Sequence, residues 1–114
     1  MTTVYKICEQ NAWVAAEQHG EFPGSGDDAR DGFIHLSTAA QLAGTFAKHF
    51  AGATDLLLVA VEADALGQAL KWETSRGGEL FPHLYAALPF KAVRWTRPIG
   101  DEVNSKRPMP ELLP

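Results

Sequence analysis

The segment DLLLVAVEAD at residues 55–64 constrains the fold most, because it is apolar on both faces and rich in β-branched residues. A strand of that kind reads as the centre of a sheet, covered from both sides. A chain of 114 residues points to one domain, able to bury roughly two-thirds of its unfolded surface without staples. The single cysteine, Cys8, excludes an internal disulfide, and within VYKIC it reads as a core thiol.

Charge narrows the partners. The net charge of -4 argues against broad electrostatic binding to nucleic acid or an anionic membrane, while leaving room for a small phosphate pocket. Residues 1–57 carry seven acids and three bases, whereas residues 58–114 carry seven of each. Lys71, Arg76, Lys91, Arg94 and Arg97 cluster in the second half, which reads as a solvated strand face in preference to an anion site. The start MTTVYKICEQN lacks the apolar run of a signal peptide, and LLLVAV is too short to span a bilayer. A cytoplasmic location with no membrane partner is expected.

Along the chain, TVYKIC (3–8) alternates as a strand does. Asn11 can cap a helix through AWVAAEQH, ended by Gly20, with Trp13 and Ala16 facing inward. GEFPGSGDDARDG (20–32) reads as a loop whose three aspartates are solvated turn residues. DGFIHLSTAAQ (31–41) reads as a strand running into a helix. Period-two alternation puts Ile34 and Leu36 on one side and Phe33, His35 and Ser37 on the other. Thr38 and Gln41 match a capping box, and Leu42, Thr45, Phe46, His49 and Phe50 form one helical stripe. LKWE (70–73) reads as a short strand with Trp72 and Glu73 on opposite faces, followed by a flexible TSRGG break. ELFPHLYAALP (79–89), with two prolines, reads as an ordered loop with one helical turn, and FKAVRWTR (90–97) as the last strand. The expected organisation is one domain over residues 1–97 and a Pro-rich tail, 98–114, packed on its surface.

Polar residues interrupt these apolar segments at His35, Ser37, Glu73, His83 and Tyr85, where burial is expected and partners are needed. They supply two imidazoles, a hydroxyl and a carboxylate, enough for acid–base chemistry or for a metal. His35 lies just before a helix start, where free N–H groups and the helix dipole favour phosphate or carboxylate. The alternative is that His35 bridges backbone groups and that Ser37 and Thr38 only cap. His19 and His49 are given no role. On the functional reading, His35, His83 and Tyr85 share one cleft with room for a sugar or phosphate and a basic side chain, Arg76, at its rim.

DGFIHLSTAAQ, LKWE and FPHLYAALP, in that order, resemble the bacterial domain-of-unknown-function family 952, from Tyr5 to the AVRW at 92–95. That family's fold is similar to the ADP-ribosyltransferase fold. The resemblance implies an α+β domain with a split, bent antiparallel sheet and two main helices. It also implies a nucleotide- or NAD-related transferase of the ADP-ribosyltransferase or RNA 2'-phosphotransferase type, with NAD as a substrate. His35 corresponds to the early histidine of that fold, with Ser37 and Thr38 beside it. Trp72 stands for the stacking aromatic if it is not a core residue, and Glu73 for the carboxylate. His83 with Tyr85 resembles the histidine-based variants of the fold. The implied roles are catalytic for His35, Glu73 and His83, and ligand-binding for Ser37, Thr38, Trp72, Arg76 and Tyr85. Two alternatives stand beside this: a non-catalytic nucleotide or small-anion module, and a metal enzyme using His35, His83 and Glu73. The metal reading is disfavoured because no HxH or HxxxH pair is present, so no metal is expected.

Overall fold

A computed structural model describes residues 2–99. Its centre is β4 (Leu56–Glu62), which lies between β1 (Thr3–Glu9) and β8 (Val93–Ile99) in an antiparallel sheet. Both faces of β4 are covered, as the apolar run requires. Leu57, Val59 and Val61 join a core with Val4, Trp13, Phe22, Ile34 and Leu36. Leu56, Leu58 and Ala60 join a second core with Tyr5, Ile7, Leu42 and Ile99. Helix α1 (Gln10–Glu17) buries Trp13 and Ala16, although it begins at Gln10, so Asn11 lies inside it and does not cap it.

A second antiparallel sheet has the order β3 (Ile34–His35), β6 (Leu80–Leu84), β5 (Leu70–Thr74). Among the described residues one backbone bridge joins it to the first. Tyr5 N donates to Ser37 O at 2.8 Å, and Ser37 N donates to Tyr5 O at 2.9 Å. The two sheets share a core but are otherwise separate in their backbone pairing, and the bridge lies beside the functional candidates. A two-stranded ribbon, β2 (Glu21–Phe22) with β7 (Leu88–Pro89), closes the other side of the main core. The architecture is a small α+β domain with antiparallel sheets and few helices. No helix among the described residues is long and apolar enough to cross a membrane.

Several local expectations are corrected. The segment 20–32 contains β2 and a short helix, α2 (Asp27–Asp31), and is not a plain loop. The strand expected over 33–37 is only Ile34–His35, plus the Tyr5–Ser37 bridge. TSRGG forms a 3-10 turn, Arg76–Gly78, closed by Ser75 N donating to Glu79 O, and so joins β5 and β6 as a hairpin. FPHLY is the middle strand of the second sheet. Pro82 fits there because its bond to the neighbouring segment uses its carbonyl, which accepts from Leu36 N at 3.1 Å. The last strand runs two residues past 97, with Pro98 paired to Leu57 and Ile99 to Leu56. The rest of the expected tail, from 100 onward, lies outside the described residues.

Helix α3 (Leu42–His49) follows a 3-10 turn, Ala39–Gln41, and Thr38 and Gln41 form the capping box. Gln41 does more than cap. Its Oε1 accepts from Thr38 N at 3.0 Å, and its Nε2 donates to Leu80 O at 2.8 Å, which ties the start of α3 to β6. Gln41 is buried, so Gln41→Ala leaves two backbone groups short of a partner and is expected to cost about 1–3 kcal/mol in urea unfolding. An unchanged midpoint would mean that α3 is held by packing alone.

Candidate functional site

The site begins with a lysine in the wrong place for a solvated side chain. Val4, Lys6 and Cys8 share one face of β1, and Lys6 pairs across to Val59 in the main core. Lys6 is only 6% exposed. A buried ammonium needs a counter-charge, and Asp28 of α2, 3% exposed, supplies it at 2.8 Å. Gly24 allows the carboxylate in: a Cβ there would sit 2.8 Å from the Asp28 Cβ, and the backbone has φ +96. Asp28 also accepts from Ser25 N at 3.1 Å, His35 N at 2.9 Å and His35 Nδ1 at 2.7 Å. Lys6 Nζ donates as well to His35 O at 3.2 Å. The acid expected to be a solvated turn residue is thus the fixed point that holds His35.

His35 has a second carboxylate. Its Nε2 lies 2.9 Å from Asp31 Oδ2, so both ring nitrogens are engaged, and both bonds exist together only when both carry a proton. His83 is arranged differently. It is 6% exposed, and its Nδ1 meets Glu73 Oε1 at 2.9 Å, which fixes the proton on Nδ1. Among the described residues no hydrogen bond engages its Nε2, and the residue lines the cleft. Tyr85 Oη donates to the same Glu73 oxygen at 2.7 Å. The hydrogen bonds from Tyr85 and then His83 hold the Glu73 carboxyl below its ordinary range, and the same contact raises the Tyr85 phenol. Glu73 is therefore a carboxylate at neutral pH.

The two imidazoles meet. His35 pairs with His83 across β3 and β6, and their ring centroids are 5.8 Å apart. Phe33 stacks on His83 at 4.1 Å and lies 4.6 Å from His35 and 5.2 Å from Tyr85. Both histidines line a cleft of about 420 Å³ where β1, β3, β6 and α3 converge. Ser37 and Arg76 also line it, with Thr45, Lys48 and His49 from α3. Ser37 Oγ is 2.9 Å from Thr45 Oγ1. Burial lowers the His49 imidazole; Asp27 opposes this, while Lys48, Arg76 and His35 add to it.

The remaining candidates fall elsewhere. Thr38 caps its helix beside the cleft and does not line it. Glu73 and Tyr85 stand behind His83, and Tyr85, expected to be buried, is 42% exposed. Trp72 is neither a core residue nor a cleft residue. It is 43% exposed on the opposite face of β5, beside a separate shallow cavity with Thr2, Asp64 and Gly67. The reason is that β5 is an edge strand whose outer face nothing covers. Of the clustered bases only Arg76 reaches the cleft, and Arg94 pairs with Glu62 at 3.0 Å. Cys8 lies in the core, where burial raises its thiol to about 11. Among the described residues no group of three or more His, Cys, Asp or Glu is arranged to hold a metal, so the set His35, His83 and Glu73 is not assembled as one. Sequence reasoning missed Lys6, Asp28, Asp31, Thr45 and His49. Lys6 carried a signal: a lysine between Val4 and Cys8 on a core face must find an acid.

Burial by itself would raise the Asp28 carboxyl, but the bond from His35 and the charge of Lys6 outweigh it and hold the group at about 2. A carboxyl lowered on folding contributes stability above its unfolded value and loses it as pH falls toward the folded one. Between about pH 4 and about pH 2 the wild type is expected to lose on the order of 2 kcal/mol through this group. Asp28→Asn leaves Lys6 buried and unpaired and costs about 3–5 kcal/mol at neutral pH, a gap that narrows across that window. Urea unfolding against pH measures both; parallel curves for the two proteins would remove Asp28 from its assigned place.

Residues 7–96 match the family described as Protein of unknown function (DUF952). The chain is 45% identical to protein CC0527 from Caulobacter crescentus, whose X-ray crystal structure aligns with a TM-score of 0.86 over 94% of this chain and 92% of that chain. The solution NMR structure of CC0527 aligns at 46% identity with a TM-score of 0.80, over 98% of this chain and 94% of that one. No curated protein matches the chain. With most of its length matched, and its fold shared with a relative at this identity, the chain belongs to the DUF952 family.

Proposed function

We propose that the cleft binds a nucleotide-type ligand and that His83 is its acid–base group, in a transferase of the ADP-ribosyl or phosphoryl type. The observation that carries this is the pair of carboxylate-held imidazoles meeting at 5.8 Å on the cleft wall, one of them with an open nitrogen. A carboxylate behind an imidazole fixes its tautomer and stabilises the cation formed when it takes a proton. The split pair of three-stranded sheets, with a histidine on the strand before a helix, supports an ADP-ribosyltransferase-like reading of the fold.

On that reading an acceptor hydroxyl attacks the ribose carbon of a nicotinamide nucleotide. The carbon–nitrogen bond breaks, and its electron pair leaves with neutral nicotinamide. The acceptor's proton passes to His83 Nε2, and Glu73 stabilises the resulting imidazolium. Phosphoryl transfer would use the same proton acceptor. His35, engaged by Asp28 and Asp31, serves to shape the wall and to face the ligand's polar groups.

Thermal shift with AMP, ADP-ribose, NAD and zinc tests this. A nucleotide at saturation is expected to raise Tm by roughly 5 °C or more. His83→Gln should keep that shift while losing release of nicotinamide from NAD. Binding without turnover in the wild type would assign a binding module. A shift with zinc alone, or with nothing, would contradict the nucleotide reading.

A further inference from the structure

We propose that Arg76 is the receptor for a phosphomonoester at the α3 end of the cleft, in a seat made by the missing side chain of Gly44. The proposal rests on the cleft being a ligand site and specifies which end takes the phosphate. Arg76 begins the turn between β5 and β6, and three contacts hold its guanidinium. Its Cζ lies 4.8 Å from the centre of the Phe81 ring, and its Nη2 donates to Thr45 Oγ1 at 3.4 Å. The third contact is with α3. A Cβ at Gly44 would sit 3.1 Å from Nη2 and 3.7 Å from Cζ, so a side chain there would push the guanidinium by a few tenths of an ångström. Glycine inside an eight-residue helix costs roughly 1 kcal/mol against alanine, and here its absence of bulk has a clear use.

What this seat holds is a charge with no carboxylate partner among the described residues. Arg30 pairs with Asp27 and Asp31, and Arg94 with Glu62. Among the described residues no carboxylate lies within ion-pair distance of Arg76. An arginine ordered in advance on an aromatic face and still unpaired has already lost much of its rotamer freedom, which lowers the entropic cost of gripping an anion. Its neighbours in the cleft select the anion. Ser37 and Thr45 offer hydroxyls, Lys48 adds positive charge, and the His49 imidazole offers a hydrogen bond. A phosphomonoester, with a double charge and three terminal oxygens, uses all of these; a single carboxylate does not. Asp27, Asp28 and Glu9 line the cleft as well and turn negative charge away from their part of it. The uncharged body of the ligand then points toward His35 and His83.

Calorimetry with inorganic phosphate, AMP and adenosine reads this out on the wild type and on Arg76→Ala, Arg76→Lys and Gly44→Ala. The expected result is that phosphate and AMP bind and adenosine binds at least roughly tenfold more weakly than AMP. Arg76→Ala should weaken AMP by roughly 10- to 100-fold, and Arg76→Lys by less. Gly44→Ala is the sharper variant: the helix keeps or gains Tm, while the methyl group displaces the guanidinium and AMP binding falls. Equal binding of AMP and adenosine, or unchanged AMP affinity in both Arg76→Ala and Gly44→Ala, overturns the subsite and leaves the wider cleft reading standing. Arg76-dependent phosphate binding to which the adenosine moiety adds nothing supports the subsite and counts against the nucleotide reading. Failure of both phosphate and AMP to bind the wild type overturns the subsite outright.

Discussion

The Lys6–Asp28 ion pair is the interaction on which the site depends. It is buried between the main core and the cleft, where neither charge is well solvated. Asp28 spends its remaining acceptor capacity on the amide and ring of His35, and Lys6 takes the His35 carbonyl. One buried pair therefore fixes the backbone and side chain of β3 and anchors α2 against it. Ser37, two residues beyond His35, makes the backbone bridge to Tyr5 that joins the two sheets. A charge buried for fold specificity and a histidine held at the wall of a cleft are thus the same structural feature.

That dependence separates the two histidines chemically. His35 is enclosed by two aspartates, and any ligand acting through its Nε2 must first displace Asp31. His83 has its carboxylate on one side only and keeps a nitrogen open. Acids of α2 and bases of α3 both line the cleft, although the chain as a whole is acidic. Net charge argues against a broad anion surface, but it says nothing about a pocket in which, among the described residues, Arg76 has no acid beside it.

Much of this frame was legible in the sequence. The two-faced apolar run is the central strand, and Ile34 and Leu36 lie in the core while His35 and Ser37 line the cleft. The capping box at Thr38 and Gln41 was readable because its chemistry is local. What escaped depended on contacts distant in sequence. Asp28 looked solvated because its burial is set by Lys6, 22 residues earlier. FPHLY looked like a loop because prolines are poor strand residues, and only its pairing to the short β3 tolerates Pro82. Trp72 looked like core or stacking aromatic because a sequence does not reveal which strand ends up at an edge. Two imidazoles set between apolar residues, in a domain with room for one main cleft, grouped His35 with His83, and the register of β3 against β6 supplies the structural cause.

NMR of the imidazole ring nitrogens, with and without AMP, tests the central claim most directly. The account predicts that unliganded His83 carries its proton on Nδ1, that AMP perturbs its Nε2, and that the signals of His35 stay tied to Asp28 and Asp31. A proton resident on His83 Nε2, or an AMP response confined to His35, would contradict it.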